Sequence, residues 1–224
     1  MQNPSGIILI DKPSGMTSFG VVARVRRRLS EVAGKKVKVG HTGTLDPFAT
    51  GLMIIVAGKY TKRAGDFSKL DKTYDATIIL GKTSTTGDPE GEISEISNKE
   101  PSLQEVKTVL AKFTGEIEQT PPIYSAIKIN GQRAYNLARK GVQVDMPVRK
   151  VKVYNLDLVE YNYPEMKIRT HVSSGTYIRT LTQDIGGVLQ TGAYTSELRR
   201  TVVGKFKIEQ AQTIADEYRL IELS

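Results

Sequence analysis

The run His41-Thr42-Gly43-Thr44-Leu45-Asp46-Pro47-Phe48-Ala49-Thr50-Gly51 sets one of the chain's 2 histidines shortly before an aspartate. Asp46 is the sole charged residue between Lys38 and Lys59. A lone carboxylate in such a turn can serve as a nucleophile or a general base. It can equally build an Asp-Pro turn by accepting nearby amides. His41 has the same two readings, a base or an ordinary surface or core histidine. A second run, Ser173-Ser174-Gly175-Thr176-Tyr177-Ile178-Arg179, ends a strand and opens a helix. An arginine in a first helical turn opposes the helix dipole and calls for a carboxylate. Asp46 is the attractive candidate, since a guanidinium would keep it ionised; Asp184 or another helix acid is the alternative. A third run, Asp71-Lys72-Thr73-Tyr74, puts a tyrosine early in a strand. Its ring could stack on an unpaired base, or simply pack in a core.

Other chemistries are disfavoured. There is no phosphate-cradling G-x-x-x-x-G-K-[ST] loop and no G-x-S-x-G elbow. A Ser-His-Asp hydrolase would have to use His41 or His171. No H-E-x-x-H or clustered carboxylate set offers a metal site, and with 0 cysteines there is no disulfide or thiolate centre.

The elements that would position these residues follow from pattern. Gly6–Ile10 reads as a buried strand closed by the turn Lys12-Pro13-Ser14-Gly15. Ser18 is expected to cap a helix over 19–29, with Val21, Val22, Val25 and Leu29 on one face. Lys35–Gly40, Leu52–Ala57 and Lys72–Leu80 read as strands, 59–67 as a short helix and Thr83–Glu92 as a loop. Ser102 and Glu105 form a capping box for a helix through Phe113, with Leu103, Val106, Leu110 and Phe113 on one side. Pro121-Pro122 breaks regular structure, and Asn130-Gly131 is a tight-turn signal. Arg133–Lys140 reads as a helix ended by Gly141. Val148–Val159 and Met166–Val172 read as strands, Thr176–Leu189 as a helix capped by Thr176, and Ala193–Arg200 and Val202–Ile208 as extended. Strands follow one another directly, so the expected class is α+β with a mixed, largely antiparallel sheet flanked by helices and loops. A single domain over 1–224 is expected, with a possible small insertion at about 85–118.

The chain has 224 residues and a formal net charge of +8. The sign is uneven. Residues 1–40 and 128–152 are strongly basic, whereas 85–118 carries acids such as Asp88, Glu90, Glu92 and Glu105. Such a distribution suits a positive face for a polyanion, and also the solvated surface of any basic protein. No apolar run reaches membrane-spanning length, and the N-terminus lacks a secretory pattern. A cytoplasmic protein with no membrane contact is expected.

Taken together, the runs resemble the tRNA pseudouridine synthases of the TruB type. The resemblance extends over Lys12-Pro13-Ser14-Gly15-Met16-Thr17-Ser18, Gly40 to Gly51, and Lys72-Thr73-Tyr74. It continues through Pro121-Pro122-Ile123-Tyr124-Ser125-Ala126-Ile127-Lys128 and Ser174-Gly175-Thr176-Tyr177-Ile178-Arg179. It implies the pseudouridine synthase fold, with uridine isomerised to pseudouridine at position 55 in the tRNA T-loop. It implies Asp46 as nucleophile, Arg179 as its partner and Tyr74 as the base-stacking tyrosine. Tyr177 and Leu198 would line the uridine pocket, His41 would contact the T-loop, and Lys12 and Pro13 would support the pocket. Arg24, Arg27, Arg28, Lys128 and Arg133 are the expected phosphate contacts. No cofactor, metal or guide RNA is implied; the partner is the T-arm of tRNA, met by a monomer. With its last residue at Ser224, a short form without the full C-terminal PUA module that many bacterial members carry is expected. The alternative from another class is a non-catalytic RNA-binding or RNA-folding protein using the same basic surface. A third possibility is a guide-directed synthase subunit.

Overall fold

The computed structural model describes residues 4–125, 127–129, 131–138, 142, 145–214 and 217–222. In chain order the elements are β1 (Gly6–Lys12), α1 (Ser18–Ala33), β2 (Val39–His41), β3 (Thr50–Ala57), α2 (Ala64–Ser68), β4 (Lys72–Leu80), β5 (Lys82–Ser84) and β6 (Ile93–Glu95). They continue with α3 (Leu103–Lys112), β7 (Gly115–Gln119), β8 (Lys128–Ile129), β9 (Gln132–Arg133), α4 (Ala134–Ala138), β10 (Arg149–Asn162) and β11 (Glu165–Val172). The last are α5 (Ile178–Leu189), β12 (Ala193–Val203) and β13 (Phe206–Lys207). The chain divides into two compact units, residues 1–74 with 198–224, and residues 75–197; β4 and β12 each run through both.

In the first unit β1 lies antiparallel to β3 along its whole length, Gly6 opposite Ala57 and Lys12 opposite Gly51. Ile7, Leu9, Leu52, Ile54 and Val56 form one core with Phe67, Val203 and Phe206. The alternate residues Ile8, Ile10, Met53 and Ile55 are also fully buried. Both faces are covered, so these strands read as unbroken apolar runs instead of alternating ones. Beyond β1, the chain near the C-terminus covers the open edge: Ile7 and Ile221 exchange backbone bonds, and Gln212 bonds Leu9 and Asp11. An otherwise exposed strand edge is thereby satisfied. The long helix begins at Ser18, but its cap is Thr17, whose Oγ1 accepts the Gly20 amide at 2.9 Å. The expected Ser18 cap is corrected: that hydroxyl is engaged elsewhere.

In the second unit the sheet order is β12-β4-β11-β10-β7. β11 alternates buried Met166, Ile168, Thr170 and Val172 with more exposed neighbours, as a half-buried antiparallel strand should. β10 departs from that alternation where its register to β11 shifts, between Val153 and Asn155 and between Leu158 and Glu160. α3 packs against α5 and β10. Its capping box forms as expected, Ser102 with Glu105, but its buried residues are Val106, Val109 and Leu110; Leu103 is exposed. β8 and β9 pair antiparallel, with Gly131 between them; Asn130 of the expected Asn130-Gly131 turn and the expected helix stop at Gly141 lie outside the described residues. Helix α5 starts later than expected. Tyr177 is its N-cap, and Thr176 gives no capping bond; its hydroxyl donates to the Ser173 carbonyl at 2.9 Å.

Candidate active site

In the first unit, Asp46 sits between two anchored neighbours. Ser18 Oγ donates to the Leu45 carbonyl and accepts the Leu45 amide, both at 2.8 Å. On the other side, the Pro47 carbonyl accepts Lys12 Nζ at 3.0 Å and the Gly15 amide at 2.9 Å. Ser14 Oγ donates to the Phe48 carbonyl at 3.0 Å, and the Ala49 amide to the Asp46 carbonyl at 3.2 Å. Leu45 and Ala49 are buried while Asp46 stays partly exposed. A carboxylate is thus presented from a loop whose backbone is tied down on both sides, which is what preorganised chemistry requires. Lys12 is 0% exposed. An ammonium so buried must be matched by acceptors, and Lys12 Nζ also donates to the Pro13 carbonyl at 2.8 Å and the Met16 carbonyl at 2.6 Å. Pro13 is itself exposed.

His41 ends β2, opposite Ile55 of β3, and is half-buried. Tyr74 and Leu198 are buried residues of β4 and β12. Two residues before Tyr74, the buried Lys72 donates to the Ser68 carbonyl at 2.7 Å and to that of Leu70, pinning the turn that feeds β4. Burial, assisted by the Arg200 charge and opposed by Asp71, lowers the pKa of Lys72 to about 8.

In the second unit, Tyr177 and Arg179 come together at the start of α5. The buried Gln119 side chain grips Tyr177 on both backbone groups: its Oε1 accepts the Tyr177 amide at 3.1 Å, and its Nε2 donates to the Tyr177 carbonyl at 3.3 Å. Gln119 therefore fixes the backbone of the N-cap residue, and the cap expected at Thr176 is absent. Arg179 is 5% exposed. It donates to the Thr86 carbonyl at 2.6 Å and the Tyr124 carbonyl at 3.1 Å, and meets Asp88 Oδ2 at 3.0 Å. Asp88 is held in turn, its Oδ1 accepting from Thr86 Oγ1 at 2.6 Å and from the Glu90 amide at 3.0 Å. The carboxylate that the helix dipole demanded is supplied within this unit by Asp88. Sequence reasoning passed over it as part of a loop; its only signal was the arginine's need for an acid. Asp184, the alternative considered for Arg179, has its carboxyl pKa raised by burial alone.

The expected phosphate contacts are less organised. Arg24 and Arg27 are exposed on α1. Arg27 and Arg28 lie 3.9 Å and 3.7 Å from Glu31, in surface pairs of little energetic weight. Lys128 and Arg133 face each other across the β8–β9 register, and their side chains lie outside the described set. Among the described residues no group of His, Cys, Asp and Glu could hold a metal ion, and no helix is long and apolar enough to cross a membrane.

Comparison with known proteins now bears on these groups. Residues 27–178 match the model of the TruB family pseudouridylate synthase N-terminal domain, and residues 179–222 that of the tRNA pseudouridylate synthase B C-terminal domain. The chain belongs to the TruB family. Its TruB relatives include the tRNA pseudouridine synthase B of Phocaeicola vulgatus, 45% identical over 93% of this chain and 89% of that protein. That of Bacteroides fragilis (strain YCH46) is 47% identical over 91% of this chain and 88% of its own. Among solved structures, a Cbf5-Nop10-Gar1 complex aligns at a TM-score of 0.71 with 32% identity, covering 93% of this chain and 52% of that one. This chain thus spans about half of that solved chain. The expected α+β class with a largely antiparallel sheet is that of the TruB fold. Within the TruB matches, His41, Asp46, Tyr74 and Tyr177 fall in the N-terminal-domain segment, and Arg179 and Leu198 in the C-terminal-domain segment.

Proposed function

We propose that this pseudouridine synthase isomerises the uridine at position 55 in the T-loop of tRNA, using Asp46 as its nucleophile. The observation that carries the reading is the anchoring of the Asp46 loop by Ser18, Lys12, Ser14 and Gly15. The tRNA substrate follows from relatives named tRNA pseudouridine synthase B.

The reaction breaks the N1–C1′ bond, turns the uracil and joins C5 to C1′; N1 gains a proton and C5 loses one. No electron changes hands and no group donor is consumed. Asp46 acts at C6 of the base, at C1′ of the ribose, or on the C2′ proton. Arg179, already a buried cation, would pair with Asp46 and keep it ionised. Tyr74 would stack on the base, while Tyr177 and Leu198 close the pocket that keeps the detached uracil from escaping. Extruding the base costs a few kcal/mol, offset by His41 against the T-loop and by phosphate contacts from Arg24, Arg27, Arg28, Lys128 and Arg133. Lys12 and Pro13 support the loop. The chain works as a cytoplasmic monomer without a guide RNA.

Tritium release from 5-³H-uridine in a T-arm minihelix is expected with the protein alone, and Asp46→Asn should abolish it while leaving binding intact. A binding or RNA-folding protein would leave the uridine unchanged, a guide-dependent subunit would not act on this substrate unaided, and turnover by Asp46→Asn would sink the nucleophile.

A further inference from the structure

Arg200 is 3% exposed. Its main chain pairs in parallel with Gly51, the last residue of the Asp46 run. The approach is so close that a Cβ on Gly51, which has φ +106°, would overlap the Arg200 backbone. Its side chain reaches three carbonyls on both sides of Asp46. Nε donates to Leu52 at 2.7 Å, Nη2 to Gly43 at 3.1 Å and Nη1 to Thr44 at 3.4 Å. Gly43 belongs to the same contact, since a Cβ there would sit 3.4 Å from Nη1. One guanidinium therefore ties the chain before Asp46 to the chain after it.

We propose that Arg200 is a positioning residue for catalysis, holding the two ends of the loop so that the Asp46 carboxylate is fixed where the glycosidic bond breaks. The proposal rests on the reading of Asp46 as nucleophile. The planar fork matters here as well as the charge. A lysine ammonium is a point donor on a flexible stem and cannot span acceptors on both limbs of the loop in one geometry. A carboxylate displaced by about 1 Å loses roughly a hundredfold in rate. Substrate affinity, set by contacts elsewhere, should not follow.

The test compares wild type, Arg200→Lys, Gly43→Val and Asp46→Asn on a T-arm minihelix. It reads the single-turnover rate, the dissociation constant, the thermal midpoint, and amide exchange across residues 43–52. Arg200→Lys is expected to lose about a hundredfold in rate with affinity within about twofold of wild type. Its loop amides should exchange faster. Gly43→Val keeps Arg200 and its bond to Leu52 while crowding the guanidinium off Gly43 and Thr44. It is expected to show the same pattern at roughly tenfold, and it decides the matter if Arg200→Lys does not fold. A rate within about twofold of wild type in either folded variant, with Asp46→Asn inactive, overturns the proposal alone, as does a loss of rate matched by an equal loss of affinity. An active Asp46→Asn removes the nucleophile reading and this proposal with it.

Discussion

Replacing Asp88 by asparagine isolates the electrostatic part of the Arg179 site. The two side chains are 4% and 5% exposed and meet at 3.0 Å. Asparagine keeps the shape and retains an oxygen for Thr86 Oγ1 and the Glu90 amide, the two donors that Asp88 Oδ1 now accepts. Its amide nitrogen, however, would face Arg179 Nη1, donor against donor. Removing one member of a buried ion pair costs about 3–5 kcal/mol. Arg179 keeps the Thr86 and Tyr124 carbonyls, which places the expectation at the lower end, about 3 kcal/mol. For a chain of this length each kcal/mol moves the midpoint by about 2–4 °C, so a fall of roughly 6–12 °C is expected in calorimetry. The double variant Asp88→Asn with Arg179→Met supplies the control. Exchanging a buried pair for neutral groups is often nearly neutral, so the second substitution should recover part of the loss. A midpoint within about 2 °C of wild type, or a double variant destabilised by the sum of the singles, would refute the reasoning.

Lys72 makes stability depend on alkaline pH. With its folded pKa near 8 against the ordinary 10.5, the unfolded chain holds more protons between those values, so this group makes stability rise with pH across that window. Denaturant melts should show the rise in wild type and a flatter profile in Lys72→Met; identical profiles would exclude the effect. Lys12→Met withdraws the donor from the Pro13, Met16 and Pro47 carbonyls. It should lower stability by roughly 1–3 kcal/mol for each carbonyl left without a partner and slow turnover more than it weakens binding. Unchanged turnover would show that the loop does not depend on this anchor.

What could be read from the chain was local. The apolar runs of β1 and β3, the Ser102–Glu105 box and the full span of β4 each carry a periodicity or cap within a few residues. What could not be read was side chain to backbone over long separations. A cap at Ser18 and a cap at Thr176 were both reasonable on residue type alone. Each hydroxyl had another use, or another residue fitted better: Ser18 serves Leu45, and Gln119 serves Tyr177. The short strand β7, with acids alternating in Gly115–Gln119, was submerged in the acidic stretch. The two extended pieces expected at 193–208 include one long strand, β12, continuing through Thr201. Of the site, Asp46, Tyr74, Tyr177 and Arg179 could be singled out because their types suit the chemistry. Asp88, Gln119 and Arg200 could not, because their importance lies in what they hold.

That difference bears on the two readings of Asp46. The turn reading asks the Asp46 side chain to hold the loop; the nucleophile reading asks the loop to hold the side chain. The Leu45 amide is accepted by Ser18 Oγ and the Ala49 amide by the backbone carbonyl of Asp46. The turn is further held by Lys12, Ser14, Gly15 and Arg200, all acting on carbonyls. Much of the turn is thus held by residues other than Asp46. A backbone held by that many side chains fixes the place from which the Asp46 carboxylate would act, as the proposal that it is the nucleophile requires.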